Sequence, residues 1–242
     1  MRTPLASTQV KSKERVAEHG EVFTAEREVK AMCDLVAQEC DRIDSTFLEP
    51  ACGDGNFLTE ILARKLTTVK KRYGSSSYDY ERYAILALSS IYGVDILADN
   101  AANCRKRLFA QWDEAYTKAC KKDCSDDARA AAKYILEKNI VCGNALSLMK
   151  VDEDHKDTEE PIIFPEWSLP FNDQRILRRD FRFDVLLKEN EDESMYDSQF
   201  SIFGDDAMST DFWMIDPVTN ETIPKPVKEY PLINYRRLAE NG

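Results

Sequence analysis

The amino-acid sequence predicts an α/β protein with a doubly wound, mostly parallel sheet and an irregular C-terminal extension. Short apolar stretches alternate with longer segments of helical periodicity as far as Met149. A turn with two glycines joins the first apolar stretch to the next helical segment, as at the opening of a nucleotide-binding α/β unit. Beyond Met149 the helical periodicity ends, and short apolar pieces alternate with polar links.

The N-terminal region predicts a flexible arm followed by a helix. Residues 1–15 are polar and mixed in charge, which is typical of a terminal arm. Apolar residues then recur at helical spacing over 24–40. Thr24 is the expected N-cap, because Glu26 and Glu28 follow it in the first turn.

The first β-turn-α unit comes next. We expect a strand over 45–49, a glycine turn over 52–56 and an amphipathic helix over 57–71. A polar stretch with three consecutive serines, residues 73–80, predicts a surface loop, and helical spacing resumes over 81–89.

The β-then-α order is then repeated. Residues 90–97 have the β-branched content of a buried strand, and a long helix is expected over 99–119. A further helix over 125–138 leads into a third short strand, 139–142, which ends at the turn Gly143-Asn144. These elements predict one domain.

The C-terminal part is predicted to be irregular. We assign residues 16–187 to the main domain and 188–242 to a loop and a C-terminal segment that docks on the same domain. Acidic residues combine with Ser, Gly and Met over 188–210, which indicates a mobile loop. The segment 225–238 reads as an extended piece that returns to the body.

Composition excludes several classes of protein. No apolar run approaches the ~20 residues needed to cross a bilayer, and the N-terminus has no apolar signal core, so we expect a cytoplasmic protein without membrane contact. The seven cysteines are odd in number and scattered, which favours reduced thiols over a disulfide framework. Cys120 and Cys124 are close, but no neighbouring histidine or second cysteine pair completes a metal site, and none is predicted.

The charge balance limits nucleic-acid binding. A formal net charge of -11 repels a polyanion, so DNA is expected to bind only weakly to this chain alone. Two basic clusters interrupt the acidity, and both are interpreted as solvated surface or ion pairs more readily than as phosphate contacts. They are Lys70, Lys71 and Arg72, and Arg175, Arg178, Arg179 and Arg182.

The most specific site signal is the stretch FLEPACGDGNFL, residues 47–58. It combines a strand end, a Gly-x-Gly turn and a helix start in that order. Gly53 and Gly55 allow a sharp turn and the close approach of a ligand to the main chain. Leu58 stands where the dinucleotide fingerprint has its third glycine, which disfavours a nicotinamide or flavin site.

This stretch resembles motif I of the DNA adenine methyltransferases of restriction-modification systems. Gly20 to Thr24, GEVFT, resembles the family motif that closes the cofactor pocket, with Ala25 in place of the usual proline. Tyr92 to Ile96 resembles motif II, whose acidic residue binds the ribose hydroxyls. Cys142 to Leu146 resembles the GDAL motif, with Asn144 replacing the aspartate that meets the adenine amino group.

The resemblance implies a Rossmann-like sheet of the class I methyltransferase type that binds S-adenosyl-L-methionine. In this interpretation Phe23 and Thr24 form a lid, the glycine turn faces the methionine end, and the second strand end faces the ribose and adenine. The implied cofactor-binding residues are Phe23, Thr24, Glu49, Ala51, Cys52, Gly53, Asp54, Gly55, Asp95, Ile96 and Asn144.

Two of these residues also have ordinary structural explanations. Asp95 lies just before the predicted helix at Asp99, where a carboxylate stabilises a helix N-terminus. Gly143-Asn144 is by itself a common turn sequence. The order of the motifs along the chain favours the cofactor interpretation.

The resemblance ends where the family places its base-holding motif. In the family, a strand after the third motif leads into Asn-Pro-Pro-Tyr, which holds the flipped adenine. Residues 183–187, FDVLL, resemble that strand, but KENE follows it, so the catalytic residues are unknown. A non-standard base-holding set would need stacking by Phe164 or Trp167.

The expected function is therefore that of a SAM-dependent methyltransferase-like protein of the DNA adenine-N6 type, from a restriction-modification or phage system. Its activity is expected to be degenerate or to depend on a partner, such as a restriction-system subunit. A small subgroup labelled as modification subunits resembles this chain in Pro161 to Trp167 and in Arg178 to Asp180. The alternative is a non-catalytic SAM-binding, regulatory or antirestriction protein. A methyltransferase acting on RNA or on a protein side chain also stays open.

Overall fold

The computed structural model describes residues 24–188, 213–215 and 222–241. The protein is a mixed α/β structure with a three-stranded parallel sheet in the order β1-β2-β3. Its strands are β1 (Phe47–Glu49), β2 (Ile91–Asp95) and β3 (Ile140–Cys142). The predicted arm 1–15, Phe23 and most of the predicted loop 188–210 lie outside the described residues.

Within residues 24–142, six α-helices precede or separate these strands. They are α1 (Glu26–Leu35), α2 (Ala37–Cys40), α3 (Asn56–Tyr73), α4 (Ser77–Ser89), α5 (Ala98–Cys120) and α6 (Asp126–Asn139). Helix α4 begins inside the predicted surface loop, because the Ser76 hydroxyl accepts a hydrogen bond from the Asp79 amide at 3.2 Å and caps the helix there.

The first predicted helix differs from the structure at two points. Val36, with φ -120° and ψ 34°, interrupts it and separates α1 from α2. Thr24 is not the N-cap, because Ala25 occupies that position without a side-chain hydrogen bond. The Thr24 carbonyl instead accepts a hydrogen bond from the Asn56 side chain at 3.2 Å, which joins this segment to the start of α3.

The two faces of β2 pack against different kinds of element. On one face, a Cβ added at Gly93 would lie 3.0 Å from atoms of Cys52 and Leu58, so α3 approaches the strand closely. On the other face, the Tyr92 hydroxyl donates to the Pro165 carbonyl at 2.7 Å and its ring meets Phe164 edge to face. An antiparallel strand therefore covers this part of the second face, where a doubly wound sheet would place helices.

That strand belongs to an antiparallel sheet centred on β7. Strand β7 (Arg175–Arg182) pairs with β6 (Ile163–Ser168), β10 (Lys228–Glu229) and β11 (Ile233–Asn234). Two short antiparallel strand pairs also lie in the described residues, β4 (Met149–Val151) with β5 (Asp157–Pro161) and β8 (Trp213–Ile215) with β9 (Thr222–Pro224).

Residues 183–187 do not form the strand that the sequence resemblance predicts. They lie in a helix, α7 (Phe183–Lys188), directly after β7. Phe183 and Val185 are buried while Asp184 stands in the first turn, where a carboxylate suits the helix dipole. Five residues are too few for periodicity to distinguish a helix from a strand.

The C-terminal segment is joined to the body by buried ionic contacts. After β11, a 3₁₀ turn (Tyr235–Arg237) leads into the last helix, α8 (Leu238–Asn241). The Tyr235 hydroxyl and the Arg236 Nε both donate to Glu81 Oε1 of α4 at 2.8 Å. Glu81 is only 1% exposed, so the segment 225–238 docks through a desolvated carboxylate.

The second basic cluster is neutralised by neighbouring carboxylates. Each of its four arginines forms an ion pair, and the pairs are Arg175–Asp173, Arg178–Asp180, Arg179–Glu166 and Arg182–Asp184. The Arg178 guanidinium also lies over the rings of Trp167 and Tyr230. This cluster therefore stabilises the antiparallel sheet. Within the described part of the chain, no helix is both long and apolar enough for a membrane span.

Candidate functional site

A cavity of about 780 Å³ lies at the carboxyl ends of the three parallel strands. Parallel neighbouring strands end at the same edge of a sheet, so the turns after β1, β2 and β3 meet there. Its volume is within the range of small-molecule and cofactor sites. It is lined by Thr24, Glu49, Pro50, Ala51, Cys52, Gly53, Asp54, Asn56, Phe57, Asp95, Ile96, Leu97, Asn100, Gly143, Asn144, Ala145 and Leu146.

Most of the residues predicted from the sequence motifs line this one cavity. They are Thr24, Glu49, Ala51, Cys52, Gly53, Asp54, Asp95, Ile96 and Asn144. Gly55 is buried and does not line the cavity, and Phe23 is outside the described residues. The three motifs are far apart in sequence and are brought together by the pairing of β1 with β2 and of β2 with β3.

The glycine turn has the backbone geometry that its composition predicts. Gly53 and Gly55 have φ values of 53° and 89°, which residues other than glycine rarely adopt. A Cβ at Gly55 would stand 2.6 Å from the Cys104 sulfur, so α5 also leaves no room for one. Helix α3 starts directly after Gly55 without a side-chain cap, and its first residues line the cavity.

Asp95 supports the glycine turn from the end of β2. Its Oδ2 accepts a hydrogen bond from the Gly53 amide at 2.8 Å. Its Oδ1 accepts from the Leu97 amide at 2.9 Å and from the Asn100 side chain at 3.2 Å, at the start of α5. The carboxylate thus accepts hydrogen bonds both from the start of α5 and from the glycine turn. A carboxylate has about four acceptor sites, which leaves capacity for a ligand hydroxyl.

Glu49 is the carboxylate in the cavity that is best placed to meet a positive charge. It ends β1 and is half-buried, and burial raises its pKa, while a hydrogen bond from the Ala51 backbone partly offsets that shift. None of the described lining residues is basic. Asp54, by contrast, has a cationic neighbour, because Arg107 Nη1 lies 2.8 Å from its Oδ1.

Asn144 lines the cavity, but its side chain is engaged by the protein. Its Nδ2 donates to Asp157 at 2.9 Å, and its Oδ1 accepts from the Leu146 amide at 3.0 Å. Its backbone forms a bridge with Met149. The ordinary turn interpretation therefore accounts for the side-chain oxygen, and the contact with β5 accounts for the side-chain nitrogen.

Sequence reasoning missed the contribution of α5. Asn100, Arg107 and Gln111 each hydrogen-bond to the glycine turn, to the start of α3 or to Asp95. Their spacing places them on one face of the helix, and this shared polar face is the feature of the sequence that could have indicated their role. Sequence alone does not say which element that face meets.

A second cavity, of about 440 Å³, lies beside β1 on the Tyr92 face of the sheet. Most of its lining is apolar, from Leu48, Phe164, Phe181 and Leu186 among others. Phe164 meets Phe183 edge to face, and the Trp167 indole donates to Asn139 at 2.8 Å in the core. The larger cavity is the better candidate for a functional site, because the glycine turn and three carboxylates line it.

Comparison with protein-family models, with curated proteins and with solved structures finds no match to this chain. The candidate site is therefore defined by its sequence motifs and its geometry. An acidic cavity with an exposed glycine backbone suits a ligand that combines a positive charge with hydroxyl groups.

Proposed function

We propose that this protein binds S-adenosyl-L-methionine in the 780 Å³ cavity and is a methyltransferase-like protein of the DNA adenine-N6 type. In this proposal the three parallel strands are the cofactor half of a Rossmann-like, class I methyltransferase sheet. The observation that carries it is that residues from the glycine turn, from Asp95-Ile96 and from Gly143-Asn144 line one cavity.

The chemistry of the lining fits the ends of this cofactor. S-Adenosylmethionine carries a sulfonium and an ammonium, and Glu49 offers them a half-buried carboxylate. The turn at Gly53 offers close main-chain contact, and the first residues of α3 offer amides to the cofactor's carboxylate. Asp95 retains acceptor capacity for one ribose hydroxyl. The cofactor supplies an electrophilic methyl group when it is bound.

Two features favour a second candidate, a SAM-binding protein without catalysis of its own. The sequence has no Asn-Pro-Pro-Tyr run, and residues 183–187 form α7 where the family would extend the sheet. Transfer to an exocyclic amine requires its nitrogen to be aimed at the methyl carbon, with the base out of the stack. The proposed methyl transfer therefore depends on a partner or has been lost, and a regulatory role through protein contacts is the alternative.

Calorimetric titration with S-adenosylmethionine tests the cofactor site. Wild-type protein should bind it saturably, and Glu49→Gln should weaken binding by roughly tenfold, because a paired charge is lost with little change in shape. Glu166→Gln is the matched control, since this carboxylate lies on β6 at the other cavity and should leave binding unchanged.

Transfer of a labelled methyl group then separates the two candidates. Labelling of DNA, alone or with cellular extract, supports the methyltransferase. Saturable binding without any labelling supports the non-catalytic candidate. If wild-type protein does not bind the cofactor at millimolar concentration, both candidates fail.

A further inference from the structure

One face of the first half of α5 contacts Asp95, the glycine turn and the first turns of α3. Asn100, Cys104, Arg107 and Gln111 follow at intervals of four, three and four residues, and therefore share one side of the helix. Asn100 holds Asp95, and Cys104 packs under Gly55. Gln111 donates to the Thr59 carbonyl in the first turns of α3 at 3.0 Å.

Arg107 makes the most direct contact of these side chains with the turn. Its Nη1 lies 2.7 Å from the Asp54 carbonyl, 2.8 Å from the Asp54 carboxylate and 2.9 Å from the Asn56 side-chain oxygen. The Asp54 carbonyl stands between Gly53 and Gly55, two glycines with positive φ. Arg107 thus contacts the segment whose backbone is least restricted by its own composition.

We infer that Arg107 is a positioning residue, which holds the glycine turn in the conformation that receives the cofactor. This inference rests on the proposed cofactor site for its link to binding. It differs from an ordinary surface ion pair in its geometry, because one guanidinium nitrogen reaches a backbone carbonyl and two side chains on the same turn. Removal of Arg107 should leave the turn free to exchange between conformations.

Hydrogen exchange of the full-length protein without ligand tests the positioning role directly. Arg107→Met should speed amide exchange in peptides covering 52–59 by roughly tenfold while peptides of α6 stay unchanged. Arg105→Met is the matched control. Arg105 lies on the same helix and donates to the Ile140 carbonyl at 2.7 Å, away from the turn.

Calorimetric titration of the same variants tests the consequence for the cofactor. Arg107→Met should weaken S-adenosylmethionine binding by roughly tenfold, and Arg105→Met by much less. Arg107→Lys should fall between wild type and Arg107→Met in both measurements, because it keeps the charge but not the planar donor group.

The two measurements separate this inference from the proposed function. Equal exchange in the turn for Arg107→Met and Arg105→Met would overturn the positioning role, whatever the cofactor does. Faster exchange together with unchanged cofactor affinity would overturn the link between the turn and binding. If wild type binds no cofactor, the proposed function fails, while exchange still decides whether Arg107 orders the turn. If Arg107→Met does not fold, Arg107→Lys and Asp54→Asn replace it, and their exchange in the turn and their cofactor affinity are compared with those of Arg105→Met.

Discussion

The Asp95 carboxylate accepts a hydrogen bond from the Gly53 amide at 2.8 Å, across 42 residues of sequence. This contact joins the end of β2 to the turn after β1. The same carboxylate accepts hydrogen bonds from Leu97 and Asn100 at the start of α5. The residue expected to bind ribose is therefore also a structural support of the cavity.

Substitution of Asp95 should lower stability as well as any ligand affinity. Asp95 is 8% exposed, and Asp95→Ala removes an acceptor from three donors, so we expect the free energy of unfolding to fall by about 2–3 kcal/mol. Asp95→Asn keeps one acceptor oxygen and should cost less. Urea denaturation measures both values. Wild-type stability in Asp95→Ala would contradict the supporting role.

Ligand affinity should depend on pH through Glu49. Burial raises the pKa of this carboxyl above its ordinary value, so Glu49 takes up a proton at a higher pH than an exposed glutamate does. A cation binds the ionised form, so affinity for S-adenosylmethionine should rise with pH and level off above the pKa of Glu49. Titrations in buffers of different ionisation enthalpy should detect proton release on the acidic side. Glu49→Gln should remove this dependence, and an unchanged pH profile would contradict the assignment.

The buried carboxylate of Glu81 should contribute strongly to stability. Glu81 accepts hydrogen bonds from Tyr116, Tyr235 and Arg236 at 1% exposure. Glu81→Gln leaves Arg236 without its counter-charge, and we expect the free energy of unfolding to fall by about 3 kcal/mol. Glu240→Gln is the control, since the Arg237–Glu240 pair is largely exposed and should contribute little. Denaturation curves that match for the two variants would refute the anchoring role.

Lys65 should make stability rise with pH in mildly alkaline solution. Its side chain is fully buried and donates to the Ile43 carbonyl and the Ser90 hydroxyl, and burial lowers its pKa to about 8. The unfolded chain titrates near 10.4, about the model-peptide value, so the unfolded state binds more protons between these two values. The stability that this group contributes therefore increases across that window, by at most ~3 kcal/mol.

The comparison that isolates Lys65 is with Lys65→Met. The difference in the free energy of unfolding, wild type minus variant, should grow as the pH is raised from about 8 towards 10, within the window given by the two pKa values. Cysteines and tyrosines also titrate in this range, but they do so in both proteins and cancel in the difference. A difference that does not vary with pH would show that the buried lysine keeps its ordinary pKa.

Sequence patterns predict the local elements better than the way those elements meet. The helices over 98–120 and 126–139 lie close to their predicted bounds, because helical periodicity is a local property. The resemblance predicts a strand over 183–187, but these residues form a helix directly after β7. The Phe183 amide donates to the Ile162 carbonyl at 3.0 Å, a contact between distant residues that the local pattern does not reveal. The antiparallel sheet on the Tyr92 face had no periodic signal.

The sequence by itself determined that a sharp turn can form here, since Gly53 and Gly55 have no side chain and adopt positive φ at little cost. The sequence also places carboxylates at strand ends. Because the strands are parallel, those ends lie at the same edge of the sheet. Only the tertiary structure decided that Arg107 and Asp95 support the turn, and that the Asn144 side chain is engaged with Asp157. These contacts join residues far apart in the chain, and their partners depend on how helices and strands pack.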